Sequence, residues 1–79
     1  MKNNEIYKKT FMDTFSVEEE ALNQDFTFDN IANWDSIAHM TLMTALEDAF
    51  GIMFDTEDIL NFTSYEGGKD ILAKHGVAL

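Results

Sequence analysis

Apolar residues return at the period of an α-helix along most of this chain, and none of its 79 residues is a Pro that would break that period. Tyr7, Phe11 and Phe15, with Ile6 beside them, form a stripe at i, i+4 and i+8 that predicts a first helix, with Asn3 and Asn4 as candidate caps. Ser36 to Phe50 predicts a second helix. A turn of 100° per residue separates its side chains into two faces. Leu42, Met43, Leu46, Ala49 and Phe50 fall together and are expected to meet Phe11 and Phe15 in the core. Ile37, Met40, Thr41, Thr44, Glu47 and Asp48 fall on the opposite side, apolar residues within an acidic frame. Such a mixture suits transient docking. Gly51 supplies the left-handed stop, after which Ile52, Met53 and Phe54 are expected to turn back inward.

Asp55-Thr56-Glu57-Asp58, followed by Ile59, Leu60 and Phe62, predicts a short third helix capped by Asp55 or Thr56. A fourth helix begins at Ser64 and turns Tyr65, Ile71 and Leu72 inward, with Lys74 and His75 near its negative end and Gly76 terminating it. Gly67 and Gly68 each cost about 1 kcal/mol relative to Ala inside a helix. Either this helix starts late or frays through Gly68, or the glycines permit a close crossing. Between the first two helices, Val17 and Leu22 flank Glu18-Glu19-Glu20 and anchor a frayed helix end or the start of the connection. From Asn23 to Asp35 the polar residues are broken by Phe26, Phe28, Ile31 and Trp34, too apolar for a free linker. This loop is expected to pack on the core and deliver Ser36. The reading is an all-α chain without β-structure: a four-helix bundle, one domain over 1–79, with a long first connection and a short third helix.

A domain of this size buries only about 60 to 65 % of its unfolded surface, so its core is thin. There are no Cys, which leaves neither disulfides nor thiolate metal sites. No apolar run reaches the roughly 18 residues of a membrane span and no secretory leader is seen, so a cytoplasmic monomer is expected. The net charge is −10, and its distribution is uneven: Lys2, Lys8, Lys9, Lys69 and Lys74 are the only Lys or Arg, and residues 10–68 hold 13 of the 15 acids. That field repels nucleic acid and anionic membranes and favours partners with basic surfaces, though acidity also serves plain solubility.

Asp35-Ser36-Ile37 opens the second helix and Leu46-Glu47-Asp48-Ala49-Phe50-Gly51-Ile52 closes it. Alone, an Asp-Ser pair at a helix start reads as an N-cap. The ordered pair of motifs, spanning roughly half the chain from the preceding loop to Leu72, resembles the acyl carrier proteins. The resemblance implies a four-helix bundle of acyl-carrier type in which Ser36 bears 4'-phosphopantetheine, transferred from coenzyme A by a magnesium-dependent phosphopantetheinyl transferase, with Asp35 contributing to recognition. It implies further partners, enzymes that load or transfer acyl groups. The two roles are compatible, since Asp35 can cap while Ser36 carries the arm. The helix N-terminus suits an anionic phosphodiester.

No enzyme activity is expected. A serine nucleophile needs a base and an orienting acid, and neither His39 nor His75 has an evident partner arrangement. The angle of His39 lies nearer the core face, which makes it a packing histidine. The acids from Asp55 to Asp58 lack the Gly and spacing of a calcium loop, and no metal site is expected. Against members serving central fatty-acid synthesis, Ala38 and Thr41 stand where acids are common, and Trp34 replaces the usual small residue before Asp35. These departures point to a dedicated pathway with a short acyl, hydroxyacyl or aminoacyl cargo. The alternatives are a general fatty-acid carrier and an unmodified acidic docking module.

Overall fold

The computed structural model describes residues 2–79. Four helices follow one another: α1 (Asn3–Phe15), α2 (Ser36–Phe50), α3 (Thr56–Asn61) and α4 (Tyr65–Lys74), with a 3₁₀ turn at Glu19–Ala21 in the first connection. Among the described residues there is no strand, so the all-helical expectation holds. A single antiparallel bridge pairs Thr27 with Ser64.

The stripe on α1 faces inward as its spacing requires: Tyr7, Phe11 and Phe15 are buried. Phe11 sits at the centre, its ring 5.0 Å from Tyr7, 4.9 Å from Tyr65, 5.8 Å from Phe26 and 6.0 Å from Trp34. From α2 come Leu42, Met43 and Leu46, and from the far end Phe54, Phe62, Ile71, Leu72 and Val77. The first connection packs on the core through Phe26, Trp34 and the half-buried Ile31, as expected, whereas Phe28 stays 42 % exposed. Phe26 and Trp34 are buried, and Asn33 donates to the Phe15 carbonyl at 3.3 Å. Phe28 N–H donates to Thr63 at 2.9 Å and Tyr65 N–H donates to Phe26 at 2.9 Å, which fastens the loop to the junction of α3 and α4.

Several expectations need correction. Neither Asn3 nor Asn4 caps α1: the N-cap is Lys2, and Asn3 instead donates its amide to the Ala78 carbonyl at 3.0 Å, tying the two chain ends together. Ala49 is exposed and Phe50 only half-buried. Helical angle sets a direction, whereas burial needs an opposing element at that height. Met53 is 81 % exposed, because the stretch between α2 and α3 is non-helical and its side chains alternate: Ile52 half in, Met53 out, Phe54 in. Leu60 also points to solvent; on α3 the inward position belongs to Asp58.

Gly67 and Gly68 neither delay nor fray α4. Ser64 caps it, accepting from Gly67 N–H at 2.8 Å, and Gly68 is buried where an added Cβ would collide with the Phe62 ring and the Tyr7 hydroxyl. The close crossing is the reading that holds. Tyr7 then reaches the Tyr65 carbonyl at 2.6 Å.

Candidate functional site

Ser36 is the first residue of α2 and is exposed. The residue before it does the capping: Asp35 Oδ1 accepts from Ala38 N–H at 2.8 Å. The Ser36 hydroxyl is therefore not needed to close the helix, and it stands at the positive end of a 15-residue helix. Trp34, one step further back, is buried and fixes the approach of the chain. Its indole N–H donates to His39 Nδ1 at 3.0 Å, and His39 Nε2 lies 2.8 Å from the Ile59 carbonyl. A carbonyl only accepts, so Nε2 carries the proton and the imidazole is neutral. His39 is the packing residue its angle predicted: a strut joining loop, α2 and α3.

Two hollows meet at Ser36. One is an open apolar groove along the outer face of α2, lined by Ile37, Met40, Thr41, Thr44, Ala45 and Asp48. Ile37 is 80 % exposed and Met40 49 %, while Thr41 turns its hydroxyl back to the Ile37 carbonyl at 3.0 Å. Five of the six residues singled out for docking thus share one surface with Ser36. Glu47 does not. Its carboxylate accepts from Phe54 N–H at 2.8 Å and pins the connection leaving α2, so it is half-buried and structural.

The second hollow escaped the sequence reading. It holds about 290 Å³ between α2 and α3, walled by Phe28, His39, Ile59, Leu60, Phe62 and Thr63, again with Ser36 at its edge. It exists because α3 approaches α2, which no local spacing announces. In the sequence Phe28 and Leu60 stand as ordinary apolar residues, and only the fold shows that the core leaves them exposed.

Asp58 also went unread. Its side chain is 2 % exposed, with Lys74 Nζ at 2.8 Å and His75 Nε2 at 2.7 Å. The Lys74 ammonium, then the His75 contact, hold its carboxyl down at about 2, and Asp58 in turn raises Lys74. Asp55 spends its carboxylate on Asp58 N–H at 2.8 Å as the cap of α3. These acids are therefore committed within the fold, and among the described residues no three His, Cys, Asp or Glu side chains come together to hold a metal. No helix of the described residues is long and apolar enough to cross a membrane. No protein-family model matches the chain, and no curated protein matches it.

Proposed function

We propose that the chain is a carrier: Ser36 bears 4'-phosphopantetheine and the protein presents acyl or aminoacyl groups, held as thioesters, to the enzymes of a dedicated pathway. The observation that carries this reading is Ser36 itself, an exposed hydroxyl at the start of α2 that is free of capping duty and sits where two apolar hollows meet. The residues fit such a group. First-turn N–H groups and the helix dipole favour a phosphodiester at Ser36, beside the Ala38 N–H that Asp35 already takes. When bound, the group supplies the thiol that this Cys-free chain lacks.

The chain's own residues handle recognition. Ile37 and Met40 offer apolar contact to a partner, framed by Thr41, Thr44 and Asp48. The uninterrupted acidity of residues 10–68 favours basic surfaces, such as a phosphopantetheinyl transferase and acyl-transferring enzymes would present. The same groove without any modification at Ser36 would make the protein a plain docking module. Incubation with coenzyme A and a broad-specificity transferase, followed by mass analysis, separates the two. The expected result is one adduct on the wild type and none on Ser36→Ala, with both proteins equally folded. No adduct on the wild type, or an adduct that survives Ser36→Ala, would overturn the carrier reading.

A further inference from the structure

The chain has only two histidines, and both grip α3. They do so at adjacent residues: His39 through the Ile59 carbonyl and His75 through the Asp58 carboxylate. A helix of six residues has little stability of its own, so its place depends on such grips and on the packing of Ile59 and Phe62.

The two grips answer to protons in opposite senses. His39 accepts from Trp34 at Nδ1 and donates to Ile59 from Nε2, a pattern open only to the neutral ring. Imidazolium has two donors, so a proton on Nδ1 would face the Trp34 N–H; the indole is buried and cannot give way, so the half-buried imidazole turns instead and carries Nε2 off the Ile59 carbonyl. Among the described residues no carboxylate hydrogen-bonds to the His39 ring: around it stand the Trp34 ring, the Phe28 ring and the Ile59 carbonyl, and Asp35, one turn back at the cap of α2, gives its carboxylate to Ala38 N–H. His75 is placed the other way. It faces the Asp58 carboxylate from α3, with Lys74 beside it on α4, the Phe54 ring against it, and Asp55 and Glu57 adding negative charge around Lys74. Charging His75 strengthens its bond to Asp58.

We propose that α3 is a proton-controlled cover for the hollow beside Ser36: protonation of His39 frees the inner edge at Ile59, while His75 keeps the outer edge tied at Asp58. Without that grip the short helix opens locally more often, which exposes the Ile59 N–H that it otherwise bonds to the Asp55 carbonyl. Ile59 and Leu60 form part of the wall of that hollow, so their departure widens it. The device belongs to the chain alone, and a Ser36 that is never modified leaves it standing.

Amide hydrogen exchange and imidazole NMR shifts of the unmodified protein test this, scanned from about pH 5 to about pH 8, where imidazole side chains as a class change charge. The comparison variant is His39→Gln, whose amide can accept from Trp34 and donate to Ile59 without titrating. In the wild type, exchange protection at Ile59 N–H, corrected for intrinsic rate, should fall about fivefold to tenfold, the worth of one hydrogen bond, in step with the His39 signal. Emission of Trp34, the only tryptophan, should follow the same curve, and Phe11 and Leu46 should keep their protection. In His39→Gln the α3 response should be flat. Unchanged α3 protection while His39 titrates in the wild type would overturn the proposal, whatever the variant does. So would loss of protection in α1 and α3 together, or a wild-type response in His39→Gln.

Discussion

Gly68→Ala tests the packing on which the rest of the molecule depends. On helix propensity alone this substitution should stabilise α4 by about 1 kcal/mol. The structure predicts the reverse. A Cβ at this position would collide with the Phe62 ring and the Tyr7 hydroxyl, two side chains that are wholly buried and have nowhere to move. Overpacking of that kind costs about 1 to 3 kcal/mol. Displacing Tyr7 also threatens its 2.6 Å bond to the Tyr65 carbonyl. A buried hydroxyl left without a partner costs about 1 to 3 kcal/mol more. Set against the propensity gain, the net loss is about 1 to 5 kcal/mol, in a domain whose total stability is roughly 4 to 12 kcal/mol at the usual worth per residue. With a urea slope of about 1 kcal/mol per molar, the unfolding midpoint should fall by at least about 1 M. Gly67→Ala is the control. Its Cβ would touch only the Ser64 hydroxyl, at 2.6 Å, so the propensity gain and a disturbed cap should leave it within about 1 kcal/mol of the wild type. A Gly68→Ala protein as stable as the wild type would show that α4 does not cross Tyr7 and Phe62 closely.

Leu46→Ala removes a fully buried side chain and should cost about 2 to 5 kcal/mol by thermal or urea unfolding, whereas Met40→Ala, on the outer face, should cost under about 1 kcal/mol; equal losses would mean that the faces of α2 are misassigned. Asp58→Asn should lower the melting temperature at neutral pH and flatten its acid limb. The sign follows from the depressed carboxyl: its stabilisation is complete above the ordinary value of about 4 and is lost as pH falls toward about 2, so a melting curve with the same acid limb in Asp58→Asn would refute the role given to that carboxylate. Asp48→Lys should slow modification of Ser36 at low salt, with the difference vanishing as salt is raised, and identical rates at low salt would leave the acidity as a solubility feature. Glu47 is unsuited to that test, since Glu47→Lys also strips the acceptor from Phe54 N–H.

What could be read from the sequence was what local spacing determines. The stripe of Tyr7, Phe11 and Phe15, the two faces of α2, a start of α4 at about Ser64 and the Gly51 stop all follow from 100° per residue and from the groups a helix end leaves free, and of the two caps open for α3 the structure takes Asp55. Exposure at particular heights did not follow. Ala49 shares an angle with Leu42 yet stays in water, and Met53 faces out because a non-helical stretch alternates. Contacts distant in sequence were least legible. Nothing near Asp58 marks it as the partner of Lys74 and His75, and Glu47 looked like an exposed acid on a docking face until Phe54 folded back onto it. Gly67-Gly68 allowed two opposite readings, and only the positions of Tyr7 and Phe62 decide between them.

The two hollows at Ser36 differ in a way that bears on how a carrier would divide its tasks. The groove of Ile37 and Met40 lies open along α2, while the space bounded by Phe28, Ile59 and Phe62 is set between elements. An apolar cargo gains most from leaving water, at about 25 cal/mol per Å² removed, and the space between α2 and α3 removes more of its surface than an open face does. A partner protein needs the opposite, a face it can reach. Were the cargo to lie along the groove, it would compete with every enzyme that docks there. Placed under α3, it leaves Ile37, Met40 and Asp48 free for recognition, and delivery then requires only that α3 move. Substitutions should therefore separate: Leu60→Ala and Phe28→Ala should change how well an apolar cargo is shielded from hydrolysis, measured as thioester half-life, and Met40→Ala should change association with partners but not that half-life. A half-life that responds to Met40→Ala and ignores Leu60→Ala and Phe28→Ala would reverse the assignment.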